Sequence, residues 1–210
     1  MAKCNPILTI GHSNHPLLRF LDLLGRAEVT AVADVRSAPV SRFAPHFNKA
    51  RLPESLHEKG IAYVFLGKEL GGRPEQSALF TDGVADYEKM AAVPEFRSGI
   101  ERLIAGARSH RIAALCAEAD PLDCHRCLLV GRALTEAGAD VGHILSSGEI
   151  ISHGQAEDRL VELAGFTAEG LLPASRKERL DEAYRLRARK VAYGVRKSSV
   201  NARAVTARRD

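Results

Sequence analysis

Long apolar runs are absent from the sequence. No segment approaches the roughly eighteen consecutive apolar residues that a membrane-spanning helix needs. The first residues, "MAKCNPILTIGHSN", contain one lysine and an apolar run of only four residues, which is too short for a signal peptide. We therefore expect a soluble protein with no membrane partner.

Cysteine is scarce and unevenly placed, with four in 210 residues and three of them between residues 116 and 127. A secreted disulfide framework distributes an even set of cysteines through a much shorter chain, so this pattern favours a reducing, cytoplasmic setting. The sequence also lacks a Walker loop and a G-x-G-x-x-G fingerprint, so no motif supports bound ATP or NAD.

Positive charge is concentrated at the C-terminus. Residues 176–210 contain 12 Lys/Arg and 4 Asp/Glu, whereas residues 1–175 contain 18 and 22. We predict one domain over residues 1–172, followed over 173–210 by a basic helix and a poorly ordered tail. Such a tail can bind nucleic acid through its charge, although basic tails are often only solvated extensions.

Five short apolar runs predict buried β-strands. They are ILTI (7–10), VTAVADV (29–35), AYVFL (62–66), RIAALC (111–116) and VGHIL (141–145). Segments with helical periodicity lie between them, with proline near their starts and glycine after their ends. Strand and helix alternating over about 150 residues predict a three-layer, Rossmann-like α/β domain with a mostly parallel sheet of about five strands.

Polar residues follow the carboxyl ends of the predicted strands. Ligands of open parallel sheets bind at this edge, so we predict one site built from these loops. The candidate members are His12, Asn14, Asp34, Arg36, Ser41, Arg42, Lys68, Arg73, Cys116, Glu118, Cys124, His125, Arg126, Glu149 and His153. Asp34 and Arg36 lie on the same side of their strand, and we expect them to pair.

The segment "CAEADPLDCHRC" contains three of the four cysteines. We expect Asp123 to cap a helix whose first turn contains Cys124, His125 and Arg126. A helix N-terminus with neighbouring cationic groups favours the thiolate form of Cys124. Cys127 follows the buried stripe of the same helix, and we assign it to the core.

Three kinds of chemistry are open to this segment. Zinc is allowed, because Cys116, Cys124 and His125 supply two or three ligands and His143 or His153 would complete the site, although the only C-x-x-C pair, Cys124 with Cys127, has one member assigned to the core. A thioredoxin-type redox pair matches "CHRC" at a helix start, but the rest of the pattern does not fit that fold. Arginines and helix N-termini together would bind phosphate.

The leading hypothesis is an enzyme that acts on a phosphate-bearing substrate. The expected substrate class is a nucleotide or a nucleic-acid base. Arg36, Arg42 and Arg126 would hold the anion. Glu118 or His125 would carry the proton, and Glu118 is equally suited to pair with Arg126 and hold the loop. Cys116 and Cys124 would act as a thiolate, as metal ligands or as a reversible pair. The alternatives are a non-catalytic nucleic-acid binding module that uses the basic tail, and a thiol redox or metal-binding protein.

Five blocks of the sequence resemble the domain-of-unknown-function family 488. In chain order they are "TIGHSN", "DVRSAPVSRFAPHFN", "GIAYVFLGKELGGR", "CAEADPLDCHR" and "HIL" followed by "GEI", over about residues 7–153. The resemblance implies a Rossmann-like fold and a pocket at the matching positions. These are Asp34, Arg36, Pro39, Ser41, Arg42, Gly71, Gly72, Cys116, Glu118, Cys124, His125 and Arg126. It implies no particular reaction, and nucleotide or nucleic-acid chemistry is suspected only at the level of the family.

Overall fold

The computed structural model describes residues 5–166 and 175–195. The β-strands are β1 (Ile7–Gly11), β2 (Ala31–Asp34), β3 (Ala62–Phe65), β4 (Phe80–Thr81), β5 (Val84–Ala85), β6 (Ile112–Cys116), β7 (Val141–Ile144) and β8 (Ile150–Ser152). The α-helices are α1 (Leu17–Arg26), α2 (Leu52–His57), α3 (Gly67–Leu70), α4 (Tyr87–Ala92), α5 (Pro94–Gly106), α6 (Arg132–Glu136), α7 (His153–Leu163) and α8 (Arg176–Val191). Short 3-10 turns cover Pro45–Phe47, Ser77–Leu79 and Pro121–Asp123, and a π-helical turn covers Arg126–Gly131.

Six strands form the main sheet, in the order β3-β2-β6-β1-β7-β8. The first five of these are parallel, which confirms the predicted mostly parallel sheet. The sixth, β8, is antiparallel to β7 and was not predicted. Only the middle one of its three residues is buried, so it has no apolar run by which to recognise it. The short strands β4 and β5 pair separately as a hairpin.

Helices cover both faces of the sheet, which confirms the three-layer, Rossmann-like prediction. On one face, α1 and α2 pack through residues such as Phe20 and Leu56. On the other face, α4 to α8 pack together with the π-helical turn, through residues such as Ile100, Leu134 and Leu160. The four inner parallel strands, β1, β2, β6 and β7, therefore contribute side chains to two hydrophobic cores, as an apolar run without alternation predicts.

Two local predictions are wrong. The run 62–66 was expected to be buried on both faces, but β3 is the edge strand of the sheet and its residues are only exposed or half-buried. Asp123 was expected to cap a helix, but it belongs to a 3-10 turn. Cys124 takes the capping position instead, because its backbone is extended (φ −142°, ψ 143°) and its Sγ accepts a hydrogen bond from the Arg126 N–H at 3.4 Å.

The predicted basic helix is α8, which begins at a capping box formed by Ser175 and Glu178. Ala183 and Tyr184 on this helix are buried against the α/β domain. The predicted boundary at residue 172 lies outside the described residues, as does the predicted poorly ordered tail, residues 194–210, beyond its first two positions. Those two are ordered, since Gly194 forms a β-bridge with Val84 and the N–H of Val195 donates to the carbonyl of Gly83 at 2.8 Å. None of the helices that the structure describes is both long and apolar enough to cross a membrane.

Candidate functional site

The carboxyl ends of three central strands lie level with one another. Gly11 at the end of β1 is in register with Cys116 at the end of β6, and Asp34 at the end of β2 is in register with Leu115. The loops that follow these strands therefore start at one edge of the sheet. They enclose a cavity of about 290 Å³.

Seven of the predicted site residues line this cavity. They are Arg36, Gly72, Arg73, Cys116, Glu118, Cys124 and His125. The remaining wall is formed by Ser37, Ala38, Tyr87, Ala117, Asp123, Val191 and Tyr193. Tyr87 on α4 and Tyr193 after α8 were missed, because they are far in sequence from the ends of the five predicted strands and no motif marks them.

Two thiols and an imidazole meet at the base of the cavity, in a group that we call the thiol cluster: Cys116, Cys124 and His125. Both sulfurs donate to Oε2 of Glu118, each at 2.9 Å. Nδ1 of His125 lies 3.5 Å from the Cys116 sulfur and 3.7 Å from the Cys124 sulfur. All three side chains are buried and both thiols are free, so their reactive atoms face one another without a covalent link.

The orientation of His125 is fixed from behind. Its Nε2 lies 2.9 Å from the carbonyl oxygen of Val35, and because a carbonyl can only accept, Nε2 carries the hydrogen. In the neutral ring Nδ1 then presents a lone pair to the two sulfurs. Gly72 packs directly against this ring, since a Cβ at that position would lie 2.7 Å from Cγ of His125. Only glycine allows that approach.

The electrostatics of the cluster are strongly coupled. Burial opposes ionisation of Cys124, but hydrogen bonding from Cys116 and the charge of His125 lower the pKa of Cys124 to about 6. Burial raises the pKa of Cys116. Burial alone would lower the pKa of His125, but the adjacent Cys124 raises it. Desolvation would raise the pKa of Glu118, but the two thiol hydrogen bonds outweigh it and lower the pKa to about 2.

Asp34 and Arg36 pair as predicted. Nε and Nη2 of Arg36 donate to the two carboxylate oxygens at 2.8 Å and 2.6 Å, and the hydroxyl of Tyr63 donates to Asp34 at 2.8 Å. Nη2 also donates to the carbonyl of Phe47 at 2.8 Å. Within residues 5–166 and 175–195, Nη1 of Arg36 has no hydrogen-bond partner, and Arg36 lines the cavity.

Arg126 does not face the cavity, contrary to the expectation that it would hold an anion. It is fully buried, and its Nη1 and Nη2 donate to the carbonyl oxygens of Glu118 at 2.5 Å and Ala119 at 2.9 Å. Gly11 lies against the same loop, where a Cβ would come 1.7 Å from the Glu118 carbonyl oxygen. The guanidinium therefore fixes the backbone that carries Glu118.

His12 and Asn14 also lie outside the cavity wall. His12 is buried and stacked on Phe47 with ring centroids 4.4 Å apart, and its Nδ1 donates to the carbonyl of Ser13 at 2.8 Å. Burial lowers the pKa of His12 to about 4, so the ring is neutral at pH 7. Asn14 is exposed and accepts from the hydroxyl of Ser13 at 3.3 Å. Both residues support the loop after β1.

The predicted site residues Ser41 and Arg42, in the loop after β2, make contacts within that loop and do not line the cavity. The hydroxyl of Ser41 accepts from the backbone N–H groups of Phe43 and Ala44, each at 3.2 Å. Arg42 is exposed and lies over the Phe43 ring, 4.6 Å from its centroid. Gly71 allows a close approach to Ser37, because a Cβ there would lie 2.3 Å from the Ser37 hydroxyl oxygen.

Three further candidates from the strand ends are not brought to the cavity. Lys68 and Glu149 are exposed elsewhere on the surface. His153 is buried, and it lies with His143 beside Cys127 instead of completing a zinc site with Cys116 and Cys124. Cys127 is in the core as predicted, but its contacts with two histidines were missed.

The fold and the thiol cluster define a Rossmann-like α/β protein with a sulfur, imidazole and carboxylate site at the carboxyl edge of its sheet. A family model described as "Domain of unknown function DUF488" matches residues 16–133. Because the match covers more than half of the chain, the protein belongs to this family. The matched range includes the thiol cluster but not His12, His143 or His153. Nothing among the curated proteins or the solved structures matches the chain.

Proposed function

We propose that the protein is a metal-dependent hydrolytic enzyme that acts on a phosphate-bearing substrate. The proposed substrate class is a nucleotide or a nucleic-acid base. The observation that carries this proposal is the convergence of the Cys116 and Cys124 sulfurs and the His125 Nδ1, all buried and within 4.8 Å of one another, beside Glu118. Cys116, Cys124 and His125 are the proposed ligands.

The spacing of these donor atoms suits a tetrahedral zinc-class ion. Bond lengths of about 2.3 Å to sulfur and about 2.0 Å to nitrogen place the two donor atoms about 3.5 Å apart. The distances from His125 Nδ1 to the two sulfurs are 3.5 Å and 3.7 Å. A metal-bound histidine usually donates its other ring N–H to a carbonyl or carboxylate, as Nε2 of His125 does to Val35.

Three protein ligands would leave such an ion open to water or substrate, and the ion would lower the pKa of water and polarise the bond that is attacked. Glu118 is placed for the proton transfers, because it lies beside the proposed ligands and is open to solvent on its outer side. Binding of an ion by the two sulfurs would displace both thiol hydrogens and so remove the hydrogen bonds that lower the pKa of Glu118 to about 2. In hydrolysis Glu118 would accept the water proton as the new C–O or P–O bond forms, and return it to the leaving group as the old bond breaks.

The chemistry of the cavity mouth favours an anionic, aromatic substrate. Arg36 lines the cavity, where its Nη1 has no hydrogen-bond partner in the described part of the chain, and Arg73 lines it beside Tyr193, 5.3 Å from the ring centroid. Guanidinium groups bind phosphate through paired donors, and aromatic rings stack on bases. Zinc-dependent nucleobase deaminases use a similar set of residues. Two cysteines and one histidine bind their zinc ion, and a nearby glutamate that is not a ligand transfers protons.

The nucleic-acid binding alternative has less support in the described part of α8. Arg176 forms an ion pair with Asp158, and Arg185 forms one with Glu88. Arg187 pairs with Asp123, so much of the positive charge of the helix is already neutralised by the domain. We place the enzyme in the cytoplasm, because Cys116, Cys124 and Cys127 are all free thiols and a reducing compartment keeps them so.

The test combines metal analysis with an activity screen on the full chain. Native mass spectrometry of protein purified under reducing conditions should show bound metal that is lost in Cys124→Ser. A panel of nucleotides and nucleobase derivatives should reveal a product, measured as released phosphate or ammonia, that Glu118→Gln abolishes while metal binding is kept. Arg36→Ala should raise KM, whereas Arg42→Ala, outside the cavity, is the matched control and should leave KM unchanged.

A chain that binds no metal through Cys124, under reducing conditions with zinc added, would overturn the proposal. A mass lower by the two hydrogens of a disulfide, in wild type but not in Cys116→Ser, would instead support a reversible Cys116–Cys124 redox pair. Equal effects of Arg36→Ala and Arg42→Ala on KM would contradict the assignment of Arg36 to substrate binding.

A further inference from the structure

A second group of metal-binding side chains lies away from the cavity, and we call it the histidine cluster: Cys127, His143 and His153. We propose that the histidine cluster is a second metal site, for one thiophilic ion with a filled d shell, zinc(II) or copper(I). The histidine cluster shares no ligand with the thiol cluster, so this proposal can be tested independently of the proposed function. All three side chains are buried, with exposed fractions of 1%, 0% and 3%.

The donor atoms form a triangle of the right size for an ion. Nε2 of His143 lies 3.0 Å from Nδ1 of His153, and Sγ of Cys127 lies 3.6 Å and 4.0 Å from these two nitrogens. A triangle with sides of 3.0, 3.6 and 4.0 Å has its corners about 2.1 Å from its centre. Metal bonds to histidine nitrogen and cysteine sulfur are about 2.0 to 2.3 Å long, so one ion reaches all three atoms with shifts of a few tenths of an ångström.

Each histidine has a partner behind it of the kind that orients metal ligands. The hydroxyl of Thr9 lies 2.7 Å from Nδ1 of His143. The hydroxyl of Tyr184 lies 2.9 Å from Nε2 of His153 and donates to Glu157 at 3.1 Å. Such outer partners fix the tautomer and the orientation of a ligating imidazole.

In the metal-free cluster one hydrogen is shared across the 3.0 Å contact between Nε2 of His143 and Nδ1 of His153, and the outer hydrogen bonds allow the tautomers in which both nitrogens hold lone pairs for an ion. Tyr184 donates its hydrogen to Glu157, so it accepts from Nε2–H of His153, and Nδ1 of the neutral ring is a lone pair that faces the other two donors. The Thr9 hydroxyl can accept from Nδ1–H of His143, which leaves Nε2 of that ring as the second lone pair. On binding, the Cys127 thiol loses its proton to solvent and supplies the third donor.

The backbone is shaped to bring Cys127 to this position. Cys127 lies in the π-helical turn Arg126–Gly131, and π-helical turns are rare and occur frequently at functional sites. Gly131 at the end of this turn packs on the His153 ring, where a Cβ would come within 3.1 Å of Cε1. A larger residue there would push the imidazole away from the other donors.

The donor set selects the class of ion. Sulfur and imidazole nitrogen bind zinc and copper, whereas magnesium and calcium need oxygen ligands. No carboxylate is among the three donors, and Glu157 reaches the cluster only through Tyr184 and at 3.8 Å from Nε2 of His153. One thiolate makes a neutral site with copper(I), and Glu157 would offset the remaining charge with zinc(II).

The experiment compares metal stoichiometry in full-length variants that remove one cluster at a time. Metal-free wild type, Cys127→Ser, His153→Gln and Cys124→Ser are titrated separately with zinc(II) and with copper(I), and bound metal is counted by native mass spectrometry. His110→Gln, which removes an exposed histidine, is the matched control. We expect two ions per wild-type chain in at least one of the two titrations, and one fewer in Cys127→Ser and His153→Gln.

Cobalt(II) provides a second readout that does not depend on stoichiometry. The thiol cluster offers two sulfurs and the histidine cluster one. If both sites fill, Cys127→Ser should remove about one third of the thiolate-to-cobalt charge-transfer absorbance, because its intensity follows the number of metal–sulfur bonds. Far-UV circular dichroism of each metal-free variant establishes that the fold is intact, and His153→Gln replaces Cys127→Ser if the latter fails to fold.

The possible outcomes separate the two metal proposals. A wild-type chain that binds metal lost in Cys124→Ser but fully kept in Cys127→Ser and His153→Gln would overturn the second site alone. Metal that is lost in Cys127→Ser but kept in Cys124→Ser would support the second site and contradict the proposed function. A chain that binds neither zinc(II) nor copper(I) would refute both.

Discussion

Removal of the Arg36 side chain should destabilise the protein by about 3 kcal/mol. Asp34 is fully buried and accepts four hydrogen bonds, three of them from Arg36 through Nε, Nη2 and the backbone N–H, and one from Tyr63. Loss of one partner of a buried ion pair costs about 3–5 kcal/mol. Arg36→Ala keeps two of the four donors, which places it at the lower end of this range. In a domain of this size, that corresponds to a fall in Tm of roughly 6–12 °C.

Urea unfolding followed by far-UV circular dichroism measures this loss, with exposed Arg42→Ala as a control expected within about 0.5 kcal/mol of wild type. A double-mutant cycle with Asp34→Ala isolates the pair. Because the double variant leaves no unpaired charge, its loss should be smaller than the sum of the single losses by about 2 kcal/mol. Additive losses, or an Arg36→Ala variant as stable as the control, would refute a buried ion pair as the anchor of this loop.

Three other perturbations have defined outcomes. Gly11→Ala should cost about 1–3 kcal/mol in thermal unfolding and weaken metal binding at the thiol cluster, since its Cβ would collide with the Glu118 carbonyl. The pKa of His12, lowered to about 4 by burial, lies below its unfolded value, so its stabilising effect is present above about pH 6.5 and is lost as the pH falls. Between pH 7 and pH 5, urea unfolding should show that wild type loses up to about 2 kcal/mol more of its free energy of unfolding than His12→Gln does. An equal loss in both proteins would contradict the assignment of this pH dependence to His12. Tyr184→Phe should weaken metal binding at the histidine cluster by about 10–100-fold, and unchanged affinity would show that the hydroxyl does not orient His153.

The sequence was sufficient to predict the parallel sheet because the central strands are buried on both faces and therefore apolar throughout. It was insufficient for β8, whose three residues alternate in burial, and for α7. The helix α7 does carry a recognisable signal, since Ser152 and Gln155 form a capping box at its start. The edge position of β3 could not be predicted, because strand order depends on contacts between distant segments.

The candidate site was predictable only where local geometry decides it. Asp34 and Arg36 pair because alternate residues at a strand end point the same way. The buried position of Arg126, by contrast, depends on its hydrogen bonds to the carbonyl oxygens of Glu118 and Ala119. The residues next to Arg126 in the sequence do not predict these contacts. The link from Cys127 to His143 and His153 joins positions 16 and 26 residues apart, which no spacing rule connects.

The length of the π-helical turn matters as much as its composition. It lies between Cys124, which faces the cavity, and Leu134, which packs in the core. One residue corresponds to about 100° of rotation in an α-helix, so shortening the chain by one residue here would rotate Cys127 by about that angle relative to α6 and move its sulfur away from both imidazoles. Relatives that share the "CHRC" letters but differ by a single residue before α6 should therefore be treated as having a different arrangement of thiols.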